Sequence, residues 1–596
     1  MGGNRYYEIQ IEKHSETATM KDEEGGTMGE VTLLCYTRLP LEDAIYAEKL
    51  AYSMHLAISE GGTRFEPLNK NQGVLFVKAT SNDDGTLNAK SMKRPFMKVL
   101  ADGSFGVLAE RTEPDGTKEV PGGTLMYFVS RDLISYEEMG EADALEQTEE
   151  LSGMLKEYRE FYGDGKAEKV EKGADAFGIT GCVPGNAITV SEEIAEKLCL
   201  RLTTPVNMGM QVPEQVCASS PEALSAVKAT AVYSDGSTAT KQVEWAVDSI
   251  DFTKPGIYEI EGTIKQPHYE FPIATNHADP CIGYWQGKYY FIATYDADHE
   301  HTMYIREANS ISELVDAEEV LILDSVTYPG IGGLLWAPEF HIIGEELYIF
   351  HAATPGEFFY EESHVRKLRR GGNPMCKEDW SAPMRVVRAD GSELCEAGKT
   401  ITLDMTCFEY NGEYYAVWSQ RQFLPVDQGA WLYMAKLNPA EPWKLSTEPV
   451  LLSKPEYGWA NNHTFVDEGP FALIRENKIF LTFSSAAVDS TYVVGLFEAE
   501  HGTDLLNPDN WKKTNFPILT SRSVEGEYGT GHNAYVTDEN GDVWNTYHAR
   551  PGIDAPRSSG IRRVHFNKAG YPVLDMTEEM DVAPEFRTVR IKVEVR

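Results

Sequence analysis

The 596-residue chain is poor in positive charge: 54 Lys and Arg stand against 93 Asp and Glu, a formal net charge of −39. A field of that sign repels phosphate backbones and anionic headgroups, which excludes nucleic acid and membrane surfaces as partners and leaves a neutral ligand unaffected. No apolar run reaches the length of a bilayer span. The opening residues, MGGNRYYEIQIEKH, hold no apolar export core, which fits either the cytoplasm or secretion with a leader removed. Cysteine is sparse and scattered, with eight residues, no CxxC pair and no zinc spacing. Cys281 and Cys407 fall in expected core strands, where a thiol acts as a small hydrophobe, and this favours a reducing, cytoplasmic compartment slightly.

The length exceeds what one core organises, so several domains are expected. Aromatic residues make up 11% of the chain. In the second half a pattern recurs: a polar motif, an alternating strand, a tight turn, then an aromatic-rich strand. The five copies begin ADPCIGYWQG at Ala278, WAPEFHIIG at Trp336, LDMTCFEYNG at Leu403, DEGPFALIREN at Asp467 and GTGHNAYVTDENG at Gly529. Their polar anchors, Asp279, Trp336, Asp404, Glu468 and His532, are 57, 68, 64 and 64 residues apart. Hairpin signals at a steady interval suit a propeller of four-stranded blades around a channel, with the surplus length in loops such as 354–400.

Equivalent positions in successive blades sit at one depth around the axis, so the five anchors converge on one mouth. A lone Asp before a strand is ordinarily a turn or cap residue. Three acids in register call for another explanation. Calcium cages draw their ligands from one short loop, whereas Asp279, Asp404 and Glu468 each begin a different strand. Glycoside hydrolysis needs such a set: one carboxyl keeps a proton for the leaving oxygen and another stays ionised.

The ordered motifs HADP, WAPE, LDMTCFEYNG, DEGP, GHN and YHAR resemble glycoside hydrolase family 43, closest to its α-L-arabinofuranosidases, over roughly 268–596. The resemblance implies a five-bladed β-propeller and inverting chemistry. Asp279 would be the general base, Glu468 the general acid and Asp404 the modulator of the acid, with base and acid carboxyls about 6.5–9.5 Å apart. It implies an exo-acting release of terminal α-L-arabinofuranosyl residues from plant-type arabinose-containing oligo- or polysaccharides. A β-xylosidase, a galactofuranosidase, an endo-arabinanase and a non-catalytic glycan-binding propeller are the alternatives. It adds His277, Trp336, Glu339, Trp418 and Arg550 around the substrate. Trp418 also reads as a core residue, Glu339 as a turn cap and Arg550 as a surface charge. No cofactor is required. His532 is either a core residue or lies beside a structural Ca2+ on the axis. Met405 departs from the small residue the family places after the modulator, and is expected to narrow the pocket.

The whole chain is expected to be all-β. Residues 1–165 read as a β-rich, degenerate propeller-like module, with Lys93-Arg94-Pro95 where a catalytic Asp-Pro would stand. An arginine cannot serve as a base at neutral pH. Residues 141–162 have acidic, helical spacing. Residues 166–267 read as a linker plus a domain resembling bacterial immunoglobulin-like domains, acting as a spacer, and 268–596 as the propeller.

Overall fold

The computed structural model describes residues 31–40, 45–59, 64–163, 175–267 and 269–596. Between Ala274 and Arg563 the chain forms five four-stranded antiparallel sheets in succession. Their inner strands are His277–Trp285, Gly333–Ile343, Thr400–Tyr410, Asp467–Ile474 and Tyr528–Thr537. Each is followed by its hairpin partner, as the QG, IG, NG and EN turns require. The fifth sheet is completed by Ala274–Thr275, whose partners are Ser558 and Ser559, so the two ends of the unit share one sheet. Each inner strand touches the next, and the fifth returns to the first.

Apolar layers between successive sheets hold this ring. Ile305, Leu335 and Ile349 fill the gap between the first and second sheets. Phe350, Met405 and Trp418 fill the second gap, and Val417, Ile479 and Leu481 the third. Phe480, Val494 and Leu574 lie between the fourth and fifth, and Phe291, Trp544 and Ile561 close the circuit. The stretch 354–400, expected as loop, in fact carries the second sheet's outer strands, Glu362–Lys367 and Met384–Arg385.

Every inner strand is bulged at one level. The register skips from Ala278 to Cys281, Trp336 to Glu339, Leu403 to Thr406, Glu468 to Phe471 and Gly531 to Ala534. The first bulge residue in each, Asp279, Ala337, Asp404, Gly469 or His532, has φ between 44° and 54°. Such a bulge re-aims a side chain and strengthens the twist. The left-handed backbone it needs is costly for most residues and least so for Gly, Asn, Asp and His.

The described part of the N-terminal module contains the antiparallel meander Ser91–Val99, Phe105–Thr112, Thr124–Ser130 and Tyr136–Glu141. A second sheet pairs Val31–Arg38 with Cys182–Val190 and His55–Ser59. The expected acidic helix runs Glu149–Tyr162. Thr148 caps it by accepting from Leu151 N, and it buries Leu151, Met154, Leu155 and Tyr158. This module shares a core with the third and fourth sheets of the ring. Lys49 Nζ donates to Asn461 O at 2.7 Å, and Lys78 pairs with Glu456 at 2.7 Å.

The chain ends differently from the expected 268–596 unit. Thr588–Val595 leaves the ring and joins the immunoglobulin-like sheet, pairing antiparallel to Gly256–Lys265 and parallel to Gln215–Cys217. Its alternating Val589, Ile591, Val593 and Val595 are buried with Trp245 and Ile260. The physical reason is its alternation: one face needs an apolar sheet, and the ring's sheets are already complete.

Candidate active site

The bulges aim at one cavity of about 390 Å³, whose lining includes Asp279, Asp404, Glu468, His532, Trp336 and Phe358. Freeing a bulge amide from its ladder leaves a donor that must be satisfied. Here the partner is a side chain of the preceding sheet. Ala337 N donates to Thr294 Oγ1 at 2.8 Å, Gly469 N to Asp404 Oδ2 at 3.1 Å, and His532 N to Ser484 Oγ at 2.7 Å. Asp279 N lies 3.3 Å from His548 Nδ1 of the fifth sheet, a close approach and not a bond, because that nitrogen donates to the Asp279 carboxylate. This level is therefore laced from sheet to sheet.

Asp279 is the most heavily tied acid. Thr294 Oγ1 donates to its Oδ2 at 2.7 Å. Its Oδ1 lies 2.9 Å from His548 Nδ1, 3.1 Å from His532 Nδ1 and 3.5 Å from Arg557. Arg557 in turn grips Asp296 with two bonds, at 2.9 and 2.7 Å. Burial favours the neutral acid, but His532, Arg557 and His548 outweigh it and hold Asp279 well below the usual carboxylate range. Burial pushes the His548 imidazole down to about 4, so it is neutral and donates Nδ1–H to Asp279.

Asp404 and Glu468 are biased the other way. Burial is the main cause for both. Asp404 is raised further by Glu468 and Asp279, and Glu468 by Asp279, against a lowering pull from His532. Tyr492 donates its hydroxyl to Glu468 Oε1 at 2.8 Å and stacks on His548, with ring centres 5.3 Å apart. The pair thus retains a proton where Asp279 does not. Burial disfavours a charge on His532, but Asp279, Asp404, Glu339 and Glu468 lift its pKa above the ordinary value.

Several expected contacts lie elsewhere. Trp418 is 0% exposed, and Met405 is packed with it between the second and third sheets, so neither reaches the cavity. The bulge at Asp404 changes the strand's alternation, which sends Met405 into the core. Glu339 is buried against His341, at 2.7 Å, and His277 pairs with Glu319 at 2.8 Å; neither lines the cavity. Arg550 does line it, but its guanidinium serves Ala555 O at 2.6 Å and Val488 O at 2.9 Å. Calcium requires six to eight oxygen ligands. His532 Nε2 is buried without a hydrogen-bond partner, and among the described residues no three His, Cys, Asp or Glu side chains group to hold a metal. The surroundings of His532 do not fit a protein-built calcium cage.

The residues missed were Thr294, Tyr492, His548 and Arg557. Thr294 and His548 lie on second strands, and Tyr492 and Arg557 immediately precede the strands Val493–Glu500 and Ser558–Arg563, whereas the repeat runs along inner strands. One signal was present: His548 precedes Arg550 by two in YHAR, on the same face.

A ring of sheets that focuses three acids of opposed protonation on one cavity defines a propeller-type glycoside hydrolase. The chain belongs to the glycosyl hydrolases family 43, which it matches over residues 269–572, and it is α-L-arabinofuranosidase-like within it. A bacterial Ig-like domain (group 4) matches residues 227–267. The extracellular exo-α-(1→5)-L-arabinofuranosidase of Streptomyces chartreusis is 34% identical over 285 residues, which are 47% of this chain and 82% of that protein. The α-L-arabinofuranosidase B of Pyricularia oryzae is 32% identical, over 51% of this chain and 62% of that one. The crystal structure of the α-L-arabinofuranosidase from Lactobacillus brevis covers 51% of this chain and 95% of its own, at 28% identity and a TM-score of 0.45. The word "extracellular" in the name of the Streptomyces relative gives no support to the expected cytoplasmic location. Among the described residues, no helix is long and apolar enough to cross a membrane.

Proposed function

We propose that the chain is an exo-acting, inverting α-L-arabinofuranosidase working on a five-bladed β-propeller, and that it releases terminal arabinofuranosyl residues from plant-type arabinose-containing glycans. The observation that carries this reading is the opposed bias of acids lining one cavity: Asp279 is held ionised while Asp404 and Glu468 hold a proton. In the proposed reaction Asp279 takes a proton from water attacking the anomeric carbon. Glu468 gives the proton that the pair retains to the leaving oxygen, and Asp404, whose Oδ2 accepts from Gly469 N next to the acid, positions it. Thr294, His548 and Arg557 orient the base and keep it charged. The relatives' names supply the sugar.

The test is a panel of aryl arabinofuranoside, xyloside and galactofuranoside, with proton NMR of the first-formed anomer. The expected result is cleavage of the α-L-arabinofuranoside with the β anomer appearing first. Retention of configuration, or full hydrolysis by both Asp279→Ala and Glu468→Ala, removes the assignment.

A further inference from the structure

Arg38 and Arg522 approach one tyrosine from two units of the molecule. Arg38 ends the strand Val31–Arg38 of the N-terminal module, and Arg522 stands on the connection that leads into Tyr528–Thr537 of the ring. Their guanidinium carbons lie 4.5 and 5.2 Å from the centre of the Tyr46 ring. Arg38 is 1% exposed, whereas Arg522 is half-buried, so the pair opens to solvent on the Arg522 side. Thr520 Oγ1 donates to Gln72 Oε1 at 3.0 Å, which places the pair where module and ring meet.

Among the described residues neither arginine has an acid. Arg38 donates from Nη1 to Asn71 O at 2.7 Å, and the Nε of each arginine is buried without a hydrogen-bond partner. Cations nearby are matched: Lys70 pairs with Asp575, and Arg562 with Glu527. The polar neighbours carry no compensating charge. Tyr46 donates its hydroxyl to His55 Nε2 and Tyr36 donates to Asn71 Oδ1 at 2.7 Å. Burial raises both phenols, so neither is a phenolate at neutral pH, and burial with Arg38 keeps His55 neutral.

A cation over an aromatic face gains about 0.5–2 kcal/mol. A buried charge without a counter-charge costs several times that, and here two such charges face each other: burial, then Arg38, lowers the pKa of Arg522. The tyrosine face does not offset that cost. In a chain with 93 acidic residues against 54 basic ones, the shortage of acid is local, and it leaves room for a partner from solution. Guanidinium forks match the oxygens of phosphate and carboxylate. Two positive charges are neutralised by one divalent ion and only half neutralised by a carboxylate.

We propose that Arg38 and Arg522 form a binding site for a divalent tetrahedral oxyanion, of the hydrogen phosphate or sulfate kind, which bridges the N-terminal module to the ring. The site is separate from the catalytic cavity, whose lining includes neither arginine.

The full-length chain is melted near neutral pH in sodium chloride, and again at matched ionic strength with inorganic phosphate, with sulfate or with acetate. The three chains compared are wild type, Arg522→Lys and Arg522→Gln. Saturating phosphate or sulfate is expected to raise the wild-type melting temperature by about 2 °C, and acetate by less than half of that. Arg522→Lys should keep part of the gain and Arg522→Gln should lose it. In chloride alone Arg522→Gln should melt no lower than wild type, since one of two repelling charges is gone. Calorimetric titration with phosphate should find one site per chain, absent in Arg522→Gln. The proposal is overturned by no gain in the wild type, by an equal gain in Arg522→Gln, or by acetate acting as strongly as phosphate. It is also overturned if Arg522→Gln melts lower than wild type by one margin in every salt, which would make Arg522 a packing residue.

Discussion

Replacing Arg557 by Met tests whether Asp279 is a base because of its surroundings. The guanidinium sits 3.5 Å from Asp279 Oδ1 with 17% of its side chain exposed. At an effective dielectric of 20, that separation corresponds to about 5 kcal/mol of attraction. Thr294 and His548 still hydrogen-bond the carboxylate, and His532 still faces it. About half of the attraction, 2–3 kcal/mol, is therefore expected to be lost from the ionised state. Each 1.36 kcal/mol is a factor of ten in the ratio of ionised to neutral acid, so the loss is about 30–150-fold at mildly acid pH. Asp279 must be ionised to accept a proton, and the acid limb of kcat/KM reports its titration in the free enzyme. With its depressed pKa the wild type keeps the base charged into acid solution. The variant's acid limb should move to higher pH, whereas Arg557→Lys, which keeps the charge but loses the two-pronged grip on Asp296, should move it less. The assay is a pH series of kcat/KM on an aryl α-L-arabinofuranoside. A uniform drop at every pH with the limb unmoved would show that Arg557 does not set the charge of Asp279, and the reasoning would fail.

Trp336→Ala should raise KM about tenfold with little change in melting temperature. Trp418→Ala should cost about 3–5 kcal/mol of stability and leave KM unchanged under conditions where the protein is folded, measured by denaturant titration beside kinetics. Ending the chain at Arg587 removes Thr588–Val595 from between Gly256–Lys265 and Gln215–Cys217. Four buried Val and Ile residues at about 1.5–3 kcal/mol each rival the stability of a whole domain, so hydrogen exchange should find Gly256–Lys265 unprotected; retained protection would count against the pairing. Glu361 is buried with neither carboxyl oxygen hydrogen-bonded, and burial, then Asp404 and Glu362, raise its pKa well above normal. A raised acid contributes stability that is full below its unfolded pKa and is lost as pH rises towards its folded value. Glu361→Gln should therefore melt higher than wild type, by a margin that grows with pH at about 1.4 kcal/mol per unit above pH 5. Parallel melting curves from pH 4 to 8 would refute this.

The acids were legible because alternating strands and Gly-containing turns repeat at near-constant spacing, and equivalent positions in a closed ring must converge. What a repeat cannot display is a one-residue offset. Trp336 and Glu468, aligned with Asp279, Asp404 and His532, actually precede their bulge residues, Ala337 and Gly469. In the fourth sheet the bulge residue is a glycine for a reason: φ is 54°, and a Cβ there would lie 3.0 Å from His532 Nδ1. The acid is thereby carried one place earlier and reaches the cavity from a different backbone position than the two aspartates. Met405 reads as a pocket residue only by its place after the modulator in the family motif; its side chain lies in the core between the second and third sheets. His548 lies on a second strand and Arg557 just before a third, so their approach to Asp279 depends on sheet pairing. The last strand could complete any open sheet edge by its pattern alone.

The N-terminal meander shows what the bulge does and does not contribute. Its first strand, Ser91–Val99, skips register from Lys93 to Phe96, with Arg94 at φ 53°, the same device found in all five sheets of the ring. Here the residue in the bulge is cationic and lies 3.6 Å from Glu110 of the neighbouring strand. The strand packs beside Val31–Arg38 and Cys182–Val190 rather than beside a preceding blade. A bulge therefore aims a side chain, and it does so whether or not there is chemistry to aim at. Reactivity arises when a closed ring turns five such aims towards one point, sets Asp279 against Asp404 and Glu468, and supplies His532 and Arg557 to decide which acid keeps its proton. By that argument, placing an aspartate at position 94 would restore the direction of a catalytic acid without its partners, and would not create a second active site.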